Sequence, residues 1–304
     1  MTRRELLAGA AAVLAAGPIR AARKHITRAS ISALTDEVGL TQADAIAFAH
    51  QYGLQWVELR NVPETKKEFA KLTEPELKRW ASQLAAEKLK VSFLNTSLLK
   101  FTWPGTVPAH GREEDAARLQ HQWDRRKEDT RNAVLAANIL GTDKIRVFTG
   151  SRVANPEQAF PLIVRTLEEL VPIAESGRVK LLIENEFSQN IGTSAESKAI
   201  LELLPSKSIG LNWDPHNGLE LKEVPWPDGY ALVPKNRMLN TQIKAKAVLD
   251  DSPEKLDWKR MMEAMQKDGY EGQIGLETHT PGDKLIENAH QAMKNILHTV
   301  GELS

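Results

Sequence analysis

The sequence predicts an α/β protein: a single (β/α)8 TIM barrel preceded by a cleaved export signal. Three observations carry that expectation. Eight short apolar runs of strand length alternate with amphipathic, helix-length segments from about Ile26 onward. Acidic residues close several of the runs, namely Glu58, Glu184 with Glu186, Asp214 and Glu277. The chain has 304 residues, 41% apolar and 26% charged, which is enough for one large core. In a parallel barrel the strand ends share one mouth, so these carboxylates are expected to converge there.

Taken in order, the expected strands are Ser30 to Leu34, Trp56 to Leu59, Val91 to Leu94, Lys144 to Phe148, Val179 to Ile183, Ser208 to Trp213, Gln242 to Val248 and Gln273 to Leu276. Helix starts are marked by Thr41 with Asp44, Thr73 with Pro75 and Glu76, Asn155 with Pro156 and Gln158, Thr193 with Glu196, and Asp257 before Trp258. Gly53, Gly141, Gly177 and Gly269 each follow a periodic stretch and read as helix stops. An open doubly wound sheet would place a Gly-rich phosphate turn after the first strand, and Thr35-Asp-Glu-Val-Gly39 is not one.

The N-terminus reads as a separate segment. Thr2-Arg-Arg-Glu-Leu-Leu7 precedes an Ala-rich stretch from Ala8 to Ala16 that is too short for a stable membrane anchor, and Ile19-Arg-Ala-Ala22 offers small residues to a signal peptidase. The pattern resembles a twin-arginine export signal, which implies the twin-arginine export machinery as a partner and a periplasmic or otherwise exported product. Residues 1–25 are expected to be signal and linker, with the mature chain starting near Arg23, and 26–304 the barrel. Lys plus Arg and Asp plus Glu number 40 each, so net charge gives no case for nucleic acid or an anionic membrane as the main partner. The absence of cysteine excludes disulfides, thiolate metal sites and cysteine nucleophiles.

Asp36-Glu-Val, Val57-Glu-Leu-Arg60, Ile183-Glu-Asn185, Asn212-Trp-Asp-Pro215 with Asn217, and Gly275-Leu-Glu-Thr-His279 together resemble the sugar phosphate isomerase/epimerase family, the xylose isomerase-like TIM barrels. The resemblance spans about Ser30 to Leu297. It implies one divalent metal, such as manganese, magnesium, cobalt or zinc, with Glu184, Asp214 and Glu277 as ligands. The fourth family ligand is a histidine on strand seven, and here Lys244 stands in its place, while Lys246 matches a family lysine and Ala247 replaces an aspartate. A protonated ammonium has no lone pair for a metal. Two readings stay open: the three carboxylates still hold an ion beside Lys244, or protonated Lys244 replaces the ion.

Further candidates surround this set. His216, two residues after Asp214, and His279, two after Glu277, are candidate substrate contacts, as are Glu58, Glu186, Asn217 and Lys246. Lys100 resembles the family's strand-three lysine. Trp103, Trp123 and Trp226 lie in or beside long connections, where indoles would line a lid for a carbohydrate. The other histidines, His25, His50, His110, His121, His290 and His298, read as surface or packing residues. Glu184 and Glu277, with Lys244, form the expected catalytic set for proton abstraction next to a carbonyl, giving an isomerase or epimerase. A lyase or hydrolase of oxidised sugars or glycosides is the first alternative, and a non-catalytic carbohydrate-binding protein the second. A metal-dependent nuclease of the same fold would need more strand-end histidines than this chain has. A homo-oligomer is compatible with the sequence.

Overall fold

The computed structural model describes residues 25–110 and 115–303. Most of the expected signal segment, residues 1–24, lies outside the described residues. The strands are β1 Ile31–Ala33, β2 Trp56–Leu59, β3 Lys90–Leu94, β4 Lys144–Val147, β5 Lys180–Glu184, β6 Ile209–Trp213, β7 Met238–Lys244 and β8 Gln273–Glu277. Parallel pairing runs from β2 to β8 in sequence order and on from β8 to β1. One parallel bridge, Leu34 with Glu58, spans the gap between β1 and β2, so the sheet is a nearly closed (β/α)8 barrel.

Parallel neighbours need a crossover, and helices provide it. These are α1 Gln42–Gln51, α2 Glu74–Ala86, α3 Ala116–Leu140, α4 Phe160–Ser176, α5 Ser194–Leu203, α6 Pro215–Glu220, α7 Trp258–Lys267 and α8 Leu285–Gly301. Outward strand residues such as Ile145, Val147, Leu181 and Ile183 form one core with the inner helix faces, including Ile163, Leu167 and Leu170 of α4. Each such side chain contributes about 1.5–3 kcal/mol on burial. The expected caps form: Thr41 Oγ1 accepts from Asp44 N and Asp44 Oδ2 accepts from Thr41 N, and Thr193 with Glu196 repeats the pattern. At Asn155 the prediction is slightly early, because Pro156–Ala159 is a 3-10 turn and α4 begins at Phe160.

Two local expectations are corrected. Gly53, Gly141 and Gly269 take left-handed φ as helix stops, but Gly177 does not, and Arg178 is the left-handed residue there. Gly177 is needed for close packing instead, since a Cβ would lie 2.1 Å from Val134 Cγ1 on α3. The seventh strand was expected at Gln242 to Val248 and is found at Met238–Lys244, after which Ala245–Ala247 forms a 3-10 turn. Alternation along an extended strand therefore stops at Lys244, and Lys246 does not share its inward side.

The barrel interior contains a buried carboxylate, Glu58. Its Oε1 accepts from Ser32 Oγ (3.0 Å) and Asn240 Nδ2 (3.2 Å), and its Oε2 from Asn95 Nδ2 (2.9 Å) and Gln242 Nε2 (2.7 Å). Gly275 of β8 makes room for it, because a Cβ there would sit 2.1 Å from Oε1. Burial pushes the Glu58 carboxyl up, against four donors that favour its charge. Glu58 is thus a strut joining β1, β2, β7 and the residue that follows β3, with both oxygens taken by protein donors, where the sequence suggested a substrate contact. Glu58→Ala would strand four donors around a void. We expect it to lower unfolding free energy by about 3–5 kcal/mol, read as a reduced urea midpoint.

Candidate active site

The centre of the mouth is built from strand ends. Glu184 closes β5 and Glu277 closes β8, and between them lies Arg146, an interior residue of β4. Arg146 Nη1 donates to both Glu184 oxygens at 3.2 Å and lies 3.8 Å from Glu277 Oε1. Its Nε donates to the Thr96 carbonyl (3.1 Å), and its guanidinium packs 4.8 Å from the Phe148 ring centroid. Asn212 of β6 donates to Glu184 Oε2 at 2.5 Å, and Asn240 donates to Asn212 Oδ1 at 3.0 Å, so a line of amides runs from Glu184 back to Glu58. On the far side of Glu277, Arg60 donates to Glu277 Oε1 (3.3 Å), to Asp36 Oδ2 (3.0 Å) and to Glu37 Oε1 (2.7 Å).

Asp214 and Lys244 form the second half. Asp214 caps α6 by accepting from the backbone N–H of His216 (2.9 Å) and Asn217 (3.2 Å) through Oδ1. Its Oδ2 faces Lys244 Nζ at 3.2 Å. Lys244 also donates to Asn217 Oδ1 at 2.5 Å, and Asn217 Nδ2 in turn donates to the Asn185 carbonyl (2.8 Å). Asn217 therefore holds the lysine in place. The Asn185 side chain accepts the Asp214 N–H at 2.8 Å and donates to the Asp214 carbonyl at 2.7 Å and to the Gly192 carbonyl at 3.3 Å.

Burial is the largest influence on each of these groups, and their neighbours then push them apart. Burial raises the Glu184 carboxyl to about 7, with Arg146 pulling down and Glu277 pushing up. Burial also raises Glu277, yet Lys244, Arg146 and Arg60 outweigh it and hold that carboxyl at about 2. For Lys244 burial disfavours the charge, but Asp214 and Glu277 more than compensate, so the ammonium is retained beyond its ordinary range.

Other expected contacts fall at the rim or outside it. Lys100 reaches the mouth, pairs with Glu186 at 3.1 Å and sits 4.4 Å from the Phe148 ring centroid. Lys246 is turned outward by the 3-10 turn and pairs with Glu220 (2.9 Å) and Glu254 (3.0 Å). His216 is enclosed, with Nε2 at 2.5 Å from Glu254 Oε2, and its Nδ1 has no hydrogen-bond partner among the described residues. The His279 ring is exposed beside Glu37 and Glu277, and the backbone N–H of His279 donates to Glu37 Oε2 (2.7 Å). Trp103 has no face free for a sugar. It is 1% exposed, donates Nε1–H to the Leu99 carbonyl, packs on Trp123 at 5.4 Å and covers Gly150.

Sequence reasoning passed over Arg146, and the signal was present. Lys144-Ile-Arg-Val147 alternates, so if Ile145 and Val147 face the helices, Arg146 points into the barrel, where a charge needs a partner. Asp36 and Glu37 stood within recognised segments without an assigned role.

The family resemblance implies an ion on Glu184, Asp214 and Glu277, and the residues present do not fit it. Each carboxylate already faces a protein cation: Glu184 faces Arg146, Asp214 faces Lys244, and Glu277 faces Arg60 with Arg146. Among the described residues, the sets whose ligand atoms come within one coordination sphere are Glu37, Glu277 and His279, and His216, Glu220 and Glu254. These acidic and histidine groups are of metal-holding type, yet Arg60 lies on the first and Lys246 on the second.

Carboxylates and cations drawn from several strands at the carboxyl mouth of a (β/α)8 barrel place this chain among proteins whose chemistry sits at that face. The chain belongs to the xylose isomerase-like TIM barrel family, whose profile matches residues 46–296. No curated protein matches it. Solved structures share the fold at low identity. Escherichia coli YcjR, a 3-keto-D-glucoside 4-epimerase, is 12% identical, with a TM-score of 0.63 over 89% of this chain and 99% of its own. Bacillus anthracis AsbF, a probable 3-DHS dehydratase involved in petrobactin synthesis, is 14% identical, with a TM-score of 0.64 over 88% and 98%. The IOLI protein, solved with a bound zinc atom, is 13% identical, with a TM-score of 0.67 over 90% and 99%.

Proposed function

We propose that this chain is a sugar-modifying enzyme, an epimerase or isomerase of small carbohydrates that moves a proton at the carbon beside a carbonyl. The observation that carries this reading is the pair Glu184 and Glu277, two carboxyls from β5 and β8 that meet across Arg146, with burial raising Glu184 while Lys244, Arg146 and Arg60 overcome burial to hold Glu277 down. Ionised Glu277 is the base that removes the proton. The C–H electron pair then moves into the carbonyl, giving an enediolate whose oxygen takes its stabilising contact from the Lys244 ammonium. Protonated Glu184 returns a proton: to the opposite face of the same carbon for epimerisation, or to the former carbonyl carbon for isomerisation, in which case the hydroxyl proton on the first carbon passes to the enediolate oxygen. One neighbour is a 3-keto-D-glucoside 4-epimerase and another an L-ribulose 3-epimerase, which supports a carbohydrate substrate here.

The test is turnover in D2O with free ketohexoses and with 3-keto-glucosides, followed by proton NMR. Deuterium entering at the rearranged carbon supports the reading. Release of the aglycone with no exchange would instead identify the lyase or hydrolase alternative. Because the active form carries one proton on the Glu184 and Glu277 pair, kcat/KM should fall about tenfold per pH unit above about 7, where Glu184 ionises. A rate that keeps rising through pH 8 would count against this assignment.

We also place the mature chain in the periplasm, on the strength of its twin-arginine-like start. Changing Arg3 and Arg4 to lysine is expected to leave unprocessed precursor in the cytoplasmic fraction. Unchanged processing would contradict that placement.

A further inference from the structure

We propose that the centre of the mouth is built to work without a divalent metal, with Arg146 and Lys244 filling the place an ion would take. Three features carry this, and none depends on the reaction. First, the two cations lie against the oxygens an ion would need: Arg146 on both oxygens of Glu184, and Lys244 on the oxygen of Asp214 that the α6 cap leaves over. Second, neither cation is placed to swing aside. Arg146 is fixed by the Thr96 carbonyl, the Phe148 ring and Glu184, and Lys244 by Asn217, itself tied to the Asn185 carbonyl. Both are almost fully buried, so their charges have no water to retreat into. Third, each of the three carboxylates already faces a cation of the protein: Arg146 at Glu184, Lys244 at Asp214, and Arg60 with Arg146 at Glu277.

An ion at bonding distance from Glu184 and Asp214 would meet the guanidinium and the ammonium at short range. The arrangement also supplies what an ion would have supplied, a fixed positive group beside a developing oxyanion. Lys244 keeps a third N–H that neither Asp214 nor Asn217 uses.

The experiment uses the mature chain purified without chelator. Metal per chain is measured by mass spectrometry, and thermal unfolding is followed with EDTA and with millimolar Mn, Mg, Co or Zn chloride, for the wild type and for Glu184→Gln. We expect no stoichiometric metal, no loss of melting temperature in EDTA, and no shift with added ions that Glu184→Gln abolishes. An ion that persists equally in Glu184→Gln is held at the rim and leaves the proposal standing. One ion per chain that is lost in Glu184→Gln, or a metal-dependent rise in melting temperature confined to the wild type, would overturn it. Should Glu184→Gln fail to fold, Asp214→Asn serves the same comparison. No substrate is involved, so failure to find turnover would sink the proposed reaction without touching the metal result.

Discussion

Arg146→Met is expected to cost about 3–5 kcal/mol of unfolding free energy, the range for removing one partner from a buried ion pair. Arg146 is enclosed and answers both Glu184 and Glu277, so its loss leaves two buried carboxylates to share Arg60 and Lys244. Methionine fills much of the space but offers no donor to the Thr96 carbonyl. Glu184 loses the neighbour that restrains its rise, so any surviving activity should hold to higher pH than in the wild type. Arg146→Lys is expected to recover only part of the stability, because a single ammonium cannot reproduce a planar fork that meets Thr96 and Glu184 together. Urea titration of the three proteins checks the order, and an Arg146→Met midpoint equal to wild type would remove Arg146 from the centre's energetics.

Glu277→Gln is expected to reduce turnover by about 10²–10⁴, the range for losing a positioned general base. The amide keeps the shape of the carboxylate but cannot accept the proton, so deuterium exchange should fall along with net conversion. Arg60 retains Asp36 and Glu37, which limits the structural consequence of the change. A loss of exchange with an unchanged melting temperature would mark a chemical role. Equal loss of both would mark a structural one.

Much of the barrel was legible because local chemistry fixes it. Thr41 with Asp44 and Thr193 with Glu196 are capping boxes whose partners lie three residues apart, and they form as written. The strand-end acids Glu184, Asp214 and Glu277 lie at the mouth because a parallel barrel has only one carboxyl end. Lys246 was a candidate through its match to a family lysine, and here a 3-10 turn starting at Ala245 carries it to Glu220 and Glu254. Trp103 reads as a lid residue from its aromatic type and its place in a long connection, and its burial depends on Gly150 and Trp123, which lie elsewhere in the chain.

By itself, then, the sequence determined the order of strands and helices, the class of fold and the carboxylates that face the mouth. These follow from periodicity and caps, which act over a few residues. The tertiary structure decided how those carboxylates are neutralised. Arg146 lies 38 residues from Glu184 in the chain, and Lys244 lies 30 from Asp214, as 244 less 214 shows. Which cation meets which carboxylate depends on barrel register and on buried side-chain geometry. Coulomb attraction is strong there because water is excluded, and no short-range pattern in the chain encodes it.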